Sequence, residues 1–211
     1  MITIDMSGKA VLITGGTKGI GLAAGLEFGR AGAQVYLTHR WGSADESSIA
    51  QQFASVGALA PRILQADASN DDDTKALFQA IAQDFDHLHV FISNVGFALV
   101  TDELDGFKLK NFQRTMEYSA WPLIAYLKQA RKQFGRYPRY SLAVSSFGPD
   151  NFYPGYDFVA AAKAVMETMV KYLGVRLMKE GCNCAGIRLG MVNTESFRVT
   201  FGESLTKAIE Q

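Results

Sequence analysis

Short apolar runs alternate along the chain with longer segments whose apolar residues recur at helical spacing. The runs predict six strands: KAVLITGG, AQVYLTHR, PRILQADA, LHVFISN, RYSLAVSS and CNCAGIRL. The longer segments predict five helices, over Gly19–Ala31, Ala44–Val56, Asp72–Asp84, Lys108–Phe134 (bent or broken near Pro122) and Tyr156–Lys179. The strands lack period-two alternation and a helix follows each of the first five, which indicates a parallel sheet covered on both faces. The pattern therefore predicts a doubly wound α/β fold.

The composition fits one globular domain, which we expect to span residues 1–211. The chain is 48% hydrophobic, enough for a substantial buried core. Its 21 basic residues balance its 21 acidic residues and form no dense block, so we expect neither nucleic acid nor a membrane as a partner. No apolar run reaches the roughly 18 residues of a membrane-spanning helix, and the N-terminus enters a strand pattern without a secretory leader. These features predict a cytoplasmic protein.

The two cysteines, Cys182 and Cys184, are expected to be small core side chains on the last strand. Their spacing places them on one face of a strand, but the histidines, at positions 39, 87 and 89, lie far from them in the sequence. The sequence therefore predicts no metal site and no disulfide framework.

A glycine-rich turn, TGGTKGIG, joins the first predicted strand to the first predicted helix. In doubly wound sheets the ligand lies beyond the carboxyl ends of the strands. Gly15, Gly19 and Gly21 allow a tight turn, close approach to a pyrophosphate and close packing of the helix, whose N-terminus attracts phosphate. A simple strand-to-helix connector is the alternative interpretation. The position of the turn in the chain favours a dinucleotide site.

Four features together resemble the short-chain dehydrogenase/reductase family. They are the three-residue gap between Gly15 and Gly19, SNVG after the fourth strand, SS after the fifth, and a lysine on the following helix. The resemblance covers nearly the whole chain and implies a Rossmann fold and a nicotinamide cofactor. It implies that the cofactor is bound by Gly15, Thr17, Lys18, Gly19, Ile20 and Gly21 in the turn, Asp67 at the adenine, Asn94 and Gly96 after the fourth strand, Lys163 at the nicotinamide ribose, and Gly190 and Thr194 at the nicotinamide end.

The second strand ends in LTHR, without the acidic residue that typically binds the ribose hydroxyl of NAD. Lys18 in the glycine turn and Arg40 after the strand are placed to neutralise a 2′-phosphate. The alternative is that both are solvated surface cations. The sequence favours NADPH as the cofactor.

The proton donor is displaced. Most family members carry a tyrosine four residues before the lysine, where this chain has Val159; its tyrosine, Tyr156, lies seven residues before Lys163. Seven residues advance a helix by about 700°, close to two turns, so both side chains can share a face, with the tyrosine about 4.5 Å further along the axis. Ser146 lies where the family's serine is expected, with Ser145 beside it.

This displacement has a chemical meaning. A ketone takes up hydride on the carbon that bears the oxygen, whereas an α,β-unsaturated thioester takes it up on the β carbon, three bonds from the oxygen that becomes charged. The tyrosine–six residues–lysine pattern, and the stretch SSFGPDNFYPGYDFVAAAK around it, resemble the enoyl-acyl-carrier-protein reductases. That resemblance implies that Tyr156 stabilises the enolate while Lys163 holds the cofactor. Phe147, Phe152 and Tyr153 are expected to line the acyl pocket.

The sequence thus predicts NADPH-dependent reduction of an enoyl thioester carried by acyl carrier protein or coenzyme A. A 3-ketoacyl or other carbonyl reductase, and a silent NADPH-binding sensor or scaffold, remain alternatives. Two departures bear on the choice: Ser119 replaces an asparagine of the family's proton relay, and Leu189 replaces a proline. The residues after Thr194 suffice for one covering helix and no seventh strand. A homodimer or homotetramer, built through the long helices, is expected.

Overall fold

The computed structural model describes residues 4–41, 44–101 and 103–198. Its strands are β1 Ala10–Ile13, β2 Gln34–His39, β3 Arg62–Gln65, β4 Val90–Ser93, β5 Tyr140–Ser146 and β6 Asn183–Leu189. Its helices are α1 Gly19–Arg30, α2 Glu46–Ser55, α3 Asp71–Asp84, α4 Leu109–Ser119, α5 Trp121–Phe134 and α6 Asp157–Met178. A 3-10 turn, Leu104–Gly106, precedes α4 and was not predicted.

All six strands are parallel and lie in the order β3-β2-β1-β4-β5-β6. The connections run outwards in both directions from the β1–β4 pair, so the carboxyl ends of these two strands form the switch point. The predicted doubly wound α/β fold is confirmed. The part of the chain that the structure describes contains no seventh strand, and the rest of the predicted covering helix, after residue 198, lies outside the described residues.

The continuous apolar runs arise because the central strands are buried on both faces. All four residues of β1 and all four of β4 are buried. Along β1, Leu12 joins one apolar cluster, whereas Val11 and Ile13 join the other on the opposite face. Helices α3 and α5 pack together against the first face, where the ring of Tyr126 stacks on Phe91 at 5.2 Å.

The predicted long helix is interrupted near its proline. Helix α4 ends at Ser119 and α5 begins at Trp121, which places Pro122 in the first turn of the new helix. A proline is tolerated there because the N–H that it lacks has no intrahelical acceptor. None of the helices in the described residues is long and apolar enough to cross a membrane.

A histidine pair lies at the amino end of β4, opposite the switch point. The rings of His87 and His89 are 3.8 Å apart between centroids, and the backbone N–H of Ala10 donates to Nδ1 of His89 at 3.4 Å. Burial, then the charges of His87, Lys9 and Arg136, lower the pKa of His89, while Asp86 opposes them. The folded chain therefore holds His89 neutral.

We expect His89 to make the protein less stable in acid. As the pH falls through 6.5, the ordinary pKa of histidine, the unfolded chain takes up a proton that the folded chain does not, so the free energy of unfolding falls. The variant His89→Asn, whose amide oxygen can accept the Ala10 N–H, should show a flatter pH dependence in urea unfolding. Equal slopes for the variant and the natural protein would contradict the prediction.

Candidate active site

A cavity of about 430 Å³ lies at the carboxyl edge of the sheet, bounded by the segments that follow β1, β4, β5 and β6. It brings together most residues that the sequence singled out: Gly15, Thr17, Lys18, Gly19, Ile20, Arg40, Asn94, Gly96, Ser146, Phe147, Tyr153, Tyr156, Lys163, Gly190 and Thr194. Three others, Gly21, Asp67 and Phe152, do not line it.

The seam between β1 and β4 is held by two polar side chains. The amide of Asn94 donates to the carbonyl oxygens of Thr14 and Gly15, at 2.9 and 3.0 Å. The buried hydroxyl of Thr14 donates to the carbonyl of Ile92 and accepts the backbone N–H groups of Asn94 and Val95. The glycine turn is therefore fixed to the end of β4.

The glycine turn fits a close-packed phosphate loop. Gly19, at the start of α1, has φ +54°, a conformation that favours glycine, and an added Cβ would lie 3.2 Å from Thr194. Gly21 points away from the cavity; there, an added Cβ would lie 2.5 Å from the carbonyl oxygen of Gly15. Gly21 thus lets the helix approach the strand, while Lys18, Gly19 and Ile20 line the cavity.

Tyr156 occupies the position immediately before α6 and lines the cavity. Its hydroxyl donates to Oγ of Ser146 at 3.3 Å. Val159, at the family's usual tyrosine position, also lines the cavity and carries no donor. Burial raises the pKa of Tyr156, although the bond to Ser146 opposes this. The tyrosine is therefore held protonated at neutral pH, as a proton or hydrogen-bond donor must be.

The ring of Tyr156 requires a glycine at position 148, a residue to which no motif in the sequence assigned a role. An added Cβ at this buried residue would lie 2.6 and 2.8 Å from two ring carbons of Tyr156. Any larger residue would push the ring from its place. A glycine two residues after the serine is the only sequence signal of this contact.

Lys163 is buried beside the cavity, and its Nζ donates to the carbonyl oxygen of Val144 at 2.7 Å. Gly96 faces it, since an added Cβ there would be 3.9 Å from Nζ. Burial lowers the pKa of Lys163 to about 8, although the carboxylate of Glu167 opposes the shift. At neutral pH the side chain still carries its charge.

The two cations expected at a 2′-phosphate are both paired with carboxylates. Lys18 lies 3.4 Å from Glu195, and both side chains are exposed. Arg40 lies 2.7 Å, Nε to Oδ2, from Asp67. The carboxylate of Asp67 turns to Arg40, Ser69 and Tyr118, and its contact with the adenine stays a prediction.

Phe152 differs from expectation, whereas Ser119 bonds backbone groups, as a serine in its place can. Phe152 lies in the loop between β5 and α6 and is 83% exposed, so it is not a wall of the cavity; spacing alone does not fix the direction of a loop side chain. The buried hydroxyl of Ser119 accepts the N–H of Phe97 at 3.0 Å and lies 3.4 Å from its carbonyl oxygen. Ser119 thus fixes a cavity-lining residue to α4.

Behind the cavity, Arg188 on β6 connects the helix and the loop that carry the site. It binds both carboxylate oxygens of Glu167 on α6, at 2.9 and 2.5 Å, and also pairs with Asp150 in the loop before Tyr156. Ser145 donates to the same Glu167 at 2.5 Å. Hydrogen bonds from Arg188, then Ser145, outweigh partial burial and lower the pKa of Glu167.

We expect this network to hold the loop that precedes Tyr156. Replacing Arg188 by methionine leaves Glu167 and Asp150 without their shared cation, so amide hydrogens of residues 147–155 should exchange faster with deuterium. Arg131→Met, which removes an exposed 3.6 Å pair with Glu180, is the matched control. Unchanged exchange in the Arg188 variant would show that the loop is ordered without the network.

The comparisons with known proteins agree with this architecture. A family model described as Enoyl-(Acyl carrier protein) reductase matches residues 15–211. The chain is 27% identical over 195 residues to the enoyl-[acyl-carrier-protein] reductase [NADH] of Neisseria meningitidis, covering 90% of this chain and 74% of that protein. It is 26% identical over 192 residues to 3beta-hydroxysteroid dehydrogenase 1 of Eggerthella lenta, covering 90% and 73%.

Solved structures share the fold. A crystal structure of a dehydrogenase/reductase from Sinorhizobium meliloti 1021 superposes with a TM-score of 0.83 at 19% identity, covering 92% of this chain and 76% of that one. The family match over nearly the whole chain, the six-stranded parallel sheet and the site at its carboxyl edge lead to one conclusion. The chain belongs to the short-chain dehydrogenase/reductase family, matches its Enoyl-(Acyl carrier protein) reductase model, and is an oxidoreductase of the kind that binds a nicotinamide cofactor.

Proposed function

We propose that this protein uses NADPH to reduce the carbon–carbon double bond of an enoyl thioester, with the acyl chain carried by acyl carrier protein or coenzyme A. One observation carries the proposal. The protonated hydroxyl of Tyr156, seven residues before Lys163, lies in the cavity. The usual position of the donor, four residues before the lysine, carries the aliphatic side chain of Val159.

The cofactor fits the residues present. Gly19, whose φ of +54° favours glycine, lines the cavity at the start of α1, and Lys163 is a buried cation at the cavity wall. Arg40 has a buried nitrogen, Nη1, without a hydrogen-bond partner in the described part of the chain. Gly190 and Thr194 would hold the nicotinamide end. When bound, the cofactor supplies hydride.

The chain's own groups act on the thioester oxygen. Tyr156 donates a hydrogen bond to that oxygen as negative charge develops on it, and the bond is stronger in the transition state than in the ground state. Ser146 orients the tyrosine hydroxyl at 3.3 Å. The positive charge of Lys163 stabilises the same negative charge and the bound cofactor. The apolar side chains of Phe147 and Val159 exclude water from this part of the cavity.

The preference for NADPH depends on Lys18 and Arg40, the cations that line the cavity beside the glycine turn. The Neisseria meningitidis relative is named for NADH, so the proposal rests on these two residues and not on that protein. The strand that leads to Arg40 ends at His39 and offers no carboxylate to a ribose hydroxyl.

A carbonyl reductase is the second candidate. The Eggerthella lenta relative, which is named as a hydroxysteroid dehydrogenase, favours this candidate. This chain is nearly as similar in sequence to that protein as to the enoyl reductase of Neisseria meningitidis. For this reaction the donor must reach the oxygen of the carbon that takes up hydride. Tyr153, which also lines the cavity, is then the alternative donor to Tyr156.

We also propose that the protein forms a homodimer or homotetramer through α4 and α6. Both helices carry large exposed apolar residues: Leu109 (72% exposed) and Phe112 on α4, and Met169, Tyr172 and Val175 on α6. Exposed apolar side chains clustered on neighbouring helices are typical of subunit contacts. Sedimentation of the purified protein tests this proposal.

The enoyl assignment predicts a selective loss in Tyr156→Phe. Oxidation of NADPH with a short trans-2-enoyl thioester should be faster than with the matching 3-keto thioester, and the variant should lose about a hundredfold or more in kcat while binding NADPH normally. Tyr140→Phe, a half-exposed tyrosine at the amino end of β5 and away from the cavity, is the control.

Other outcomes reassign the site. Turnover of the keto thioester alone would favour the carbonyl reductase, and loss of that activity in Tyr153→Phe would identify its donor. NADPH binding without turnover of either substrate would favour a silent sensor or scaffold.

A further prediction concerns pH. Burial lowers the pKa of Lys163 to about 8 in the free protein, and because NADPH is anionic, binding favours the ammonium form. The affinity for NADPH should therefore be constant below this value and fall as the pH rises through it. Fluorescence titrations on both sides of pH 8 measure the effect, and Lys163→Met should bind more weakly and without this step. An unchanged step in the variant would assign it to another group.

A further inference from the structure

We propose that Asp67 is a positioning residue that holds the guanidinium of Arg40 for the 2′-phosphate of the cofactor, and so sets the preference between NADPH and NADH. The inference rests on the proposed use of NADPH. It assigns Asp67 a role through Arg40 in place of a direct contact with the adenine.

The carboxylate of Asp67 is itself fixed. Its Oδ1 accepts the backbone N–H and the hydroxyl of Ser69, at 2.9 and 2.8 Å. Its Oδ2 accepts the hydroxyl of Tyr118 at 3.0 Å and binds Nε of Arg40 at 2.7 Å. With four donors on one carboxylate, little capacity remains for a further ligand. Asp67 also does not line the cavity, whereas Arg40 does.

The guanidinium is held by aromatic contacts as well as at its Nε. Its central carbon lies over two rings, 4.7 Å from the centroid of Trp41 and 4.5 Å from that of Tyr118. These two cation–π contacts and the bond to Asp67 together limit the rotation of Arg40. A guanidinium fixed in this way loses less entropy when it binds an anion.

One donor of Arg40 is left over. Its Nη1 is buried and has no hydrogen-bond partner among the described residues. Buried donors without an acceptor are rare because they are costly. A phosphate oxygen supplies such an acceptor, and arginine binds phosphate through two neighbouring N–H groups. Because Asp67 takes Nε, a ligand must bind at the Nη end of the guanidinium, where the buried Nη1 is reached once its neighbours shift.

The ion pair between Arg40 and Asp67 also bears on the binding of NADH, whose ribose carries a free 2′-hydroxyl. The ribose 2′-hydroxyl of NADH typically binds a carboxylate at the end of the second strand. This chain has His39 and Arg40 there. The carboxylate of Asp67, which follows β3, is already bound by Arg40, Ser69 and Tyr118. The same ion pair thus favours a 2′-phosphate and disfavours a free 2′-hydroxyl.

The test compares two cofactor fragments, 2′,5′-ADP and 5′-AMP, by calorimetry on the free protein. The natural protein should bind 2′,5′-ADP more tightly. Asp67→Asn should weaken binding of 2′,5′-ADP about tenfold, as for the loss of one charge-assisted contact, and leave 5′-AMP within about twofold. Asp84→Asn is the matched control, since Asp84 also binds a tyrosine and an arginine, Tyr36 and Arg62, away from the cavity.

A thermodynamic cycle shows whether Asp67 acts through Arg40. In an Arg40→Met background, Asp67→Asn should change neither affinity further. If the Asp67 variant melts at too low a temperature to be titrated, Arg40→Lys is an independent test, because it keeps the charge but not the paired N–H donors of the guanidinium. This variant should lose the preference for 2′,5′-ADP over 5′-AMP to a similar extent.

The other outcomes are distinct. Equal weakening of both fragments by Asp67→Asn would restore the adenine contact and overturn the inference. Tighter binding of 2′,5′-ADP would show that Asp67 competes with the phosphate, and would also overturn it. A natural protein without preference for the 2′-phosphate would overturn the NADPH assignment itself, and with it this role for Asp67.

Discussion

The hydrogen bonds between Asn94, Thr14 and Gly15 close the seam between β1 and β4, and the site depends on them. The connections that follow β1 and β4 leave the sheet in opposite directions. The backbone carbonyls just beyond the ends of these strands therefore have no neighbouring strand to pair with. One amide side chain satisfies two of these carbonyls. The glycine turn is therefore held at a fixed height above the ends of β4 and β5, where Lys163 and Ser146 line the same cavity.

The charged side chains around Lys163 form a connected series of alternating sign. The ammonium of Lys163 is buried, and its nearby carboxylate, Glu167, stabilises the charged form. That carboxylate is in turn bound by Arg188, which also reaches Asp150 in the loop before Tyr156. A lone buried ammonium loses its proton readily. The partners keep Lys163 charged near neutral pH, and they connect its electrostatics to the loop that positions the proton donor.

Local features of the sequence predict the fold and most of the cavity wall. Strands such as β1 are buried on both faces and therefore appear as uninterrupted apolar runs, and the residues after each strand reach the cavity because parallel strands end at one edge. The features that the sequence did not predict are contacts between side chains or between a glycine and a ring. The ion pair between Arg40 and Asp67 joins residues 27 positions apart. Gly148 and Tyr156 are close in sequence, but their contact depends on the path of the loop between β5 and α6.

The sequence predicted Tyr156 on the face of the same helix as Lys163, but the structure places it differently. Helix α6 begins at Asp157, so Tyr156 lies at its cap and not on its face. Its ring instead packs against Gly148 in the loop after β5, and its hydroxyl donates to Ser146, the last residue of β5. A donor anchored to the strand end is free of the one-turn spacing that a helix imposes. Its position is therefore set independently of Lys163, which is what the proposed enoyl reduction requires of the donor.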